Sequence, residues 1–249
     1  MKINRIPSVP LITCDPYFSL WSPADRLTGA DTCHWTGDVK RVRGLAVIDG
    51  TAYRFMGMGE EPALEQSSLD LTPTSSCYIF EGAGIELSAV FTTPLLLEDP
   101  DLISRPCSYM DFSVRSLDGA EHTAELQISF DEEFCYHGTE HPEMNGGEHA
   151  CPFGDAAFMM KQRRGPLSHS GDHLTIDWGT LYLAVPSGSG KVFYLEQEDR
   201  SLLRAVLPMK ASADGPDSVT LVAAYDDDVS IMYFESAVRG YWARDGKTI

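Results

Sequence analysis

Basic residues are scarce in this sequence. Lysine and arginine together number 19 against 37 aspartates and glutamates, which gives a formal net charge of −18 at pH 7. Nucleic acids and anionic membranes are recognised by basic surfaces, so this balance argues against both as partners. An acidic surface otherwise commonly serves solubility. We therefore expect no nucleic-acid partner and no membrane partner.

Long apolar runs are also missing. No stretch approaches the roughly 18 consecutive apolar residues of a membrane-spanning helix. The first residues, MKINRIPSVPLITCDPYF, carry two early positive charges but no apolar core, because Pro7, Pro10 and Asp15 interrupt it. A signal peptide requires that apolar core. We expect a cytoplasmic protein, or a secreted one if the start is truncated.

Cysteine is present but thinly spread. The six cysteines are Cys14, Cys33, Cys77, Cys107, Cys135 and Cys151. Small disulfide-stabilised domains space their cysteines far more densely. We therefore predict that most of these residues are reduced, partly buried thiols.

Helical periodicity is scarce as well, and PALEQSSLDL (62–71) is the one candidate helix. Strand patterns dominate instead. GLAVID and TAYRFM flank Asp49-Gly50, a pair that supplies the positive φ angles of a type I′ hairpin turn. SSCYIF and IELSAVF flank Gly82-Ala83-Gly84 in the same manner, and two further strands flank Asp118-Gly119. The sequence predicts hairpins built on such turns.

Further short β-branched or aromatic runs follow, among them HLTIDW (173–178) and SIMYFES (230–236). In HTAELQISF, the apolar residues Leu126, Ile128 and Phe130 alternate with polar ones, which predicts one face on a core and one in water. Many short strands with regularly spaced turns indicate an all-β sandwich or barrel. We predict one large antiparallel β-sandwich of two extended sheets, with few short helices.

A predicted loop from Phe134 to Gly154 contains candidate metal ligands. These are Cys135, His137, His141, His149 and Cys151. Cysteine and histidine are zinc ligands, but only the His137–His141 spacing fits a structural zinc site. Accidental enrichment of histidine in a polar loop is the alternative. Three aspartates in YDDDVS (225–230) are either a calcium site or a solvated turn.

No arrangement in the sequence makes a convincing catalytic centre. GSGK (188–191) lacks the remaining residues of a phosphate loop. SHSGD (168–172) contains the residue types of a hydrolase triad, but adjacent residues on an extended chain point to opposite faces. Glu132-Glu133 cannot flank a glycosidic bond, because neighbours in sequence leave no gap for the substrate.

Aromatic side chains form a second group of candidates. His34, Trp35, Asp177, Trp178, Tyr241 and Trp242 are assigned to a domain interface or a ligand surface. In a sandwich, tryptophans more often belong to cores and interfaces than to ligand platforms. The tract from Arg43 to Gly57 is interpreted as hairpin scaffold, and residues 34–37 as a surface that meets another domain.

Several motifs in order resemble the N-terminal region of the glutaminase A family, known from fungi and bacteria. They are PSVPLITCDPYFSLWSPADRLT, HWTG, GLAVIDGTAYRFMG, PLSHSGDHLTIDWGTLYLAV and YDDDVSIMYF, and the resemblance runs from Pro7 to about Trp242. It implies a β-rich module followed by an α-helical toroid of the six-hairpin type that hydrolyses L-glutamine to L-glutamate and ammonia. No catalytic residue of the family maps onto this chain. Secreted fungal relatives carry a signal peptide, which this sequence does not show.

By this resemblance we expect a bacterial glutaminase-like protein in which residues 1–240 form the β-sandwich module and residues 241–249 begin the linker to a C-terminal helical domain. That domain is the expected partner, and glutamine or sugar would bind only through it. The expected module is non-catalytic and needs no cofactor. The alternatives are a carbohydrate-binding module of a glycoside hydrolase, in which Trp35 or Trp178 stacks on sugar, and a zinc-dependent enzyme built on the histidine loop.

Overall fold

The computed structural model describes residues 6–167 and 176–249. Within these residues the chain is almost entirely strand and turn. The seventeen strands are β1 Val9–Thr13, β2 Ser19–Ser22, β3 Val42–Ile48, β4 Thr51–Met56, β5 Glu65–Leu71, β6 Ser75–Gly82, β7 Ile85–Thr92, β8 Cys107–Ser116, β9 His122–Asp131, β10 Met144–Cys151, β11 Gly154–Lys161, β12 Thr180–Pro186, β13 Lys191–Glu196, β14 Ser201–Ala211, β15 Asp217–Asp226, β16 Ile231–Tyr233 and β17 Ser236–Val238. The helical segments are α1 Pro100–Ile103 and the 3₁₀ segments Glu132–Cys135 and Tyr241–Gly246. None of them has the length and apolar character needed to cross a membrane.

Two large sheets make up the body of the chain. One has eight strands in the order β10-β11-β12-β15-β8-β7-β6-β5, and the other has five in the order β13-β14-β9-β3-β4. Neighbouring strands are antiparallel in both sheets. The small pairs β1–β2 and β16–β17 complete the strands of the described chain. The prediction of an all-β, sandwich-like fold is confirmed.

The core lies between the two sheets, and aromatic rings join them. Phe55 on β4 of the smaller sheet contacts Phe80 on β6 and Phe112 on β8 of the larger one, with ring centroids 5.7 and 5.9 Å apart. Gly44 makes room for this packing, because a Cβ at that position would lie 2.6 Å from the Phe55 ring. Burying one such side chain contributes about 1.5–3 kcal/mol, so these contacts define how the sheets stack.

Period-2 alternation selects the face that enters the core. On β9, Leu126, Ile128 and Phe130 are buried, whereas Gln127 and Ser129 between them are partly exposed. The same alternation occurs on β3, β6, β7, β8 and β14. The predicted inward face of β9 is therefore confirmed.

The turn residues explain two of the predicted hairpins. Asp49 and Gly50 adopt φ angles of 48° and 82°, as a type I′ turn between β3 and β4 requires. Ala83 and Gly84 likewise have positive φ between β6 and β7. Around Asp118-Gly119 the outcome differs: β8 belongs to the larger sheet and β9 to the smaller one. The segment between β8 and β9 therefore crosses from one sheet to the other, because these two strands pair with other strands and not with each other.

Three local predictions are wrong in part. The candidate helix PALEQSSLDL contains the edge strand β5, because pairing with β6 supplies its backbone hydrogen bonds. The predicted strand SIMYFES is a hairpin, β16–β17, that turns at Phe234 with φ 54°. The predicted strand HLTIDW lies mostly outside the described residues, and its described part, 176–178, is not strand.

The predicted loop 134–154 is also partly strand. Residues 144–151 form β10, which pairs with β11 along its whole length. The glycines in MNGGEHAC allow this, since a Cβ on Gly146 would collide with the ring of Tyr194 on β13. The connection between the 3₁₀ segment and β10 therefore shrinks to residues 136–143.

A histidine joins the two connections at one end of the sandwich. His122 Nδ1 lies 2.7 Å from Asp49 Oδ2 and its Nε2 lies 3.1 Å from Asp118 Oδ1. Hydrogen bonds to the two carboxylates raise the pKa of His122, and the bond to Asp49 has the larger effect. The protonated imidazole therefore ties the β3–β4 turn to the crossover that follows β8.

We predict that this contact makes stability pH-dependent. Because the pKa of His122 is higher in the folded state, its contribution is complete below the unfolded pKa of about 6.5 and is lost as pH rises through the folded value. Urea unfolding between about pH 6 and pH 8 should show the free energy of unfolding falling with pH, and less so in His122→Asn. An unchanged pH slope in the variant would show that another group is responsible.

Candidate functional site

Loops from several parts of the sequence meet at the opposite end of the sandwich. Strand register brings them there: Val42 at the start of β3 pairs with Phe130 near the end of β9, and Leu202 near the start of β14 pairs with Asp131. We call this the loop end, and it comprises residues 34–41, 132–143, 176–180, 197–200 and 226–246. Most of the candidate residues from the sequence lie here.

One cleft at the loop end has a volume of about 720 Å³ and is here called the Lys40 cleft. Its lining combines both charges with an aromatic ring and two histidines. The lining residues are Asp38, Val39, Lys40, Arg41, Glu133, Tyr136, His137, Gly138, Thr139, His141 and Arg200.

The Lys40 ammonium group is hydrogen-bonded to backbone carbonyls. Its side chain is buried, with the residue only 6% exposed, and Nζ donates to the carbonyl oxygens of Glu133 and Tyr136, the latter at 3.1 Å. Burial lowers the pKa of Lys40 to about 8. The ammonium group thus bonds one carbonyl of the 3₁₀ segment and one just after it, which holds the following loop in place.

Glu132 holds the other side of the same segment. One carboxylate oxygen accepts from the Ser201 backbone N–H at 2.6 Å, and the other lies 2.8 Å from His141 Nδ1 and 3.4 Å from the Tyr136 hydroxyl. Such a pair fixes the orientation of an imidazole. Burial and the nearby carboxylates raise the pKa of Tyr136, so its phenol stays protonated. The arrangement can orient His141 but supplies no activated nucleophile.

The structure does not bring the five candidate metal ligands together. Cys135 is fully buried, its thiol donates to the Met159 carbonyl at 3.4 Å, and burial raises its pKa to about 12. Zinc binds the thiolate, which that environment disfavours. Among the described residues, no group of three or more His, Cys, Asp or Glu is placed to hold a metal ion.

Strand formation explains why the ligands separate. His137 and His141 line the Lys40 cleft, but His149 and Cys151 belong to β10. His149 contacts the Tyr182 ring and lies 3.3 Å from the Ile249 carbonyl oxygen. The sequence predicts one long loop for these candidate ligands, whereas the β10–β11 pairing makes part of that segment a strand.

The triplet in YDDDVS is held by arginines. Asp226 pairs with Arg239 and Asp228 pairs with Arg164, while Asp226 Oδ1 also accepts from the Asp228 backbone N–H at 3.0 Å. Burial raises the pKa of Asp227 and of Asp228. Carboxylates engaged in this way form a braced turn, and no calcium-type ligand set is found there among the residues that the structure describes.

His34 and Trp35 share one acceptor but differ in exposure. His34 Nε2 lies 2.7 Å and Trp35 Nε1 lies 2.8 Å from the Pro16 carbonyl oxygen. His34 is buried, and that burial lowers its pKa, whereas Trp35 is 58% exposed. Only Trp35 of this pair can therefore offer a ring face to another molecule.

The remaining aromatic candidates divide in the same way. Trp178 is 7% exposed and donates to the Val229 carbonyl, and the neighbouring Asp177 pairs with Lys161. Trp242 is buried beneath Arg239, while Tyr241 is exposed and carries Arg244 over its ring. The buried tryptophans thus serve packing at the loop end.

The comparison with protein families decides the membership of the chain. Residues 74–207, more than half of its length, match the family described as "Domain of unknown function (DUF5127)". The chain belongs to the DUF5127 family. In addition, residues 2–66 match a second description, "Domain of unknown function (DUF4964)".

Glutaminase A of Aspergillus oryzae (strain ATCC 42149 / RIB 40) is similar to this DUF5127 chain. The two are 26% identical over 195 residues, which is 75% of the chain but only 28% of glutaminase A. This supports the family-level resemblance. The DUF5127 chain thus spans under a third of that relative's length.

Two solved structures are distantly similar. A protein assigned as a kojibiose phosphorylase from human microbiome matches with a TM-score of 0.42 at 10% identity, over 82% of the DUF5127 chain and 24% of that protein. The GH36 α-galactosidase AgaB from Geobacillus stearothermophilus matches with a TM-score of 0.37 at 10% identity, over 78% and 29% of the respective chains. Scores this low support no functional inference.

Spacing in the sequence does not indicate the two buried charges that organise the loop end. Lys40 lies beside Arg41 in TGDVKRV, and Glu132, considered only as a glycosidase carboxylate, follows the strongly alternating strand β9 at the position where the period-2 pattern ends. Only the paired register of β3, β9 and β14 brings them to one place. The candidate motif SHSGD (168–172) lies outside the described residues.

We predict that Lys40→Met destabilises the DUF5127 fold. The methionine fills similar space but leaves two carbonyls without a donor, at a cost of about 1–3 kcal/mol per unsatisfied buried group. Urea unfolding should show the loss, and amide exchange should rise in residues 132–143. Lys191→Met removes an exposed pair with Asp155 on β11 and serves as the matched control. Equal stability of the two variants would contradict the role given to Lys40.

Proposed function

We propose that this chain is the N-terminal, non-catalytic β-sandwich module of a glutaminase A-like amidohydrolase. In the longer protein it packs, through its loop end, against a helical catalytic domain that hydrolyses L-glutamine to L-glutamate and ammonia. The exposed apolar hairpin β16–β17 is the observation that carries this proposal.

The hairpin is exposed along its whole length in the described part of the chain. All residues from 230 to 239 are exposed, and its strands pair only with each other. Phe234 is 86%, Tyr233 65% and Ile231 55% exposed. An isolated two-stranded hairpin is marginally stable in water, and a concentrated apolar surface of this kind marks an interaction site.

The position of the hairpin favours the rest of the same polypeptide as its occupant. It is followed at once by the 3₁₀ segment Tyr241–Gly246, whose Arg244 pairs with Asp101 on α1. The similarity to glutaminase A covers 28% of that protein, so a relative of similar design has most of its chain outside this region. A domain downstream would meet the hairpin without a long connection.

The Lys40 cleft agrees with a supporting role. Lys40 in its lining and the adjacent Glu132 are bound to backbone carbonyls and a backbone N–H. Catalytic groups must be within reach of a substrate and hold a proton-transfer state suited to it. Groups that brace a loop are not free for that task.

The test compares this 249-residue chain with the longer protein. We expect no ammonia release from glutamine by the chain alone, and slower amide exchange in residues 230–239 when the downstream region is present. Phe234→Asp in the longer protein should restore fast exchange, because a charge at the interface opposes burial. The matched control is Leu117→Asp, which introduces the same charge at another exposed apolar side chain, at the opposite end of the sandwich.

Two results would contradict the proposal. One is glutamine turnover by the purified 249-residue chain that persists after further purification. The other is identical exchange in residues 230–239 with and without the downstream region.

Exposed Trp35 favours a second candidate, a carbohydrate-binding module. Its ring is 58% exposed and its Nε1–H is held by the Pro16 carbonyl, so the ring is oriented for stacking. Under this candidate an oligosaccharide panel should change tryptophan fluorescence saturably, and Trp35→Ala should remove the response. A silent panel would leave the first proposal as the better one.

A further inference from the structure

Four arginines line one groove on the outer face of the five-stranded sheet. The groove has a volume of about 500 Å³ and is bounded by β3, β9, β14 and the turn before β14. The arginines are Arg41, Arg43, Arg200 and Arg204. We call it the arginine groove. Four of the 19 basic residues of the sequence thus meet in one groove, whose lining also includes Asp31, Asp131 and Asp199.

Strand register creates the centre of this groove. Arg43 on β3 pairs with Ser129 on β9, and Ser129 in turn pairs with Arg204 on β14. All three lie between buried neighbours, so the pleat places them together on the outer face. Two guanidinium groups therefore flank one hydroxyl across three adjacent strands.

Three of the arginines already have carboxylate partners. Arg41 pairs with Asp31 at 3.2 Å and with Glu133, Arg43 pairs with Glu61, and Arg200 pairs with Asp131 at 2.9 Å and with Asp199 at 3.1 Å. Arg43 is only partly satisfied, because its Nε is buried without a hydrogen-bond partner among the described residues. A further anion could therefore bind only at the centre of the groove.

Arg204 is the exception. Its Nε donates to Ser129 Oγ at 2.9 Å, and within residues 6–167 and 176–249 no carboxylate pairs with it. The Ser129 hydroxyl accepts this bond, so its own proton is available to a third group. Burial and the neighbouring Arg43 lower the pKa of Arg204, which means that its charge lacks local compensation. A guanidinium fork of this kind matches a carboxylate or a phosphate.

We propose that the arginine groove binds one small oxyanion, a carboxylate or phosphate group, on Arg204 with Ser129 and Arg43 as the neighbouring donors. A single anion is specified because Arg41 and Arg200 are neutralised by aspartates that would repel a second one. The site lies on the sheet face and is independent of the glutaminase-like role proposed above.

The test is an NMR titration of the 249-residue chain with inorganic phosphate and, separately, with L-glutamate. We expect saturable shifts of the Arg204 Nε–H signal and of the residue 129 amide with at least one of them. Which anion binds more tightly identifies the source of the oxyanion group. Arg204→Gln should weaken binding about tenfold or more, since a charge-assisted hydrogen bond contributes about 1.5–3 kcal/mol.

Two further variants guard against misfolding and non-specific effects. Ser129→Ala keeps both arginines and should weaken binding less than Arg204→Gln does. Arg115→Gln removes an exposed arginine paired with Glu86 on the other sheet and should leave binding unchanged. The amide spectrum of each variant verifies its fold. Shifts that stay linear with both anions, or saturable binding unaffected by Arg204→Gln in a folded protein, would overturn the proposal.

Discussion

The stacking of two antiparallel sheets through their apolar faces is the constraint on which the rest of this structure depends. Phe55, Phe80 and Phe112 join the sheets across the core, and Gly44 leaves the space that the first of these rings needs. Protein interiors are close-packed, so these contacts determine the position of each strand as well as its burial. Once the strands are placed, their ends decide which loops meet.

At the loop end, charged groups are buried and therefore require hydrogen-bond partners. Lys40 and Glu132 each lose most of their contact with water, and both recover hydrogen bonds from the 3₁₀ segment and its surroundings. A buried charge without such partners would be strongly unfavourable. The same groups that make this region look like a catalytic cleft thus hold its loop in place, and the hairpin β16–β17 is left exposed on the outside.

The sequence allowed some elements to be predicted because their causes are local. Asp49-Gly50 specifies its turn through backbone conformation, and the alternation around Ile128 specifies an inward face. The failures have non-local causes. Residues 65–71 are a strand because β6 supplies a neighbour, and residues 144–151 are a strand because β11 does. The second of these also places His149 and Cys151 in β10, apart from His137 and His141 in the loop before it.

The candidate sites also differ in whether local sequence or tertiary structure determines them. Composition and pattern by themselves determined an acidic, all-β protein with most of its turns in place, since charge and period-2 alternation are properties of neighbouring residues. Only the tertiary structure decided that Trp35 is exposed while Trp178 is buried, and that Arg43, Ser129 and Arg204 form one row. Register between strands distant in the chain is set by packing of the whole core, which no short stretch of sequence contains.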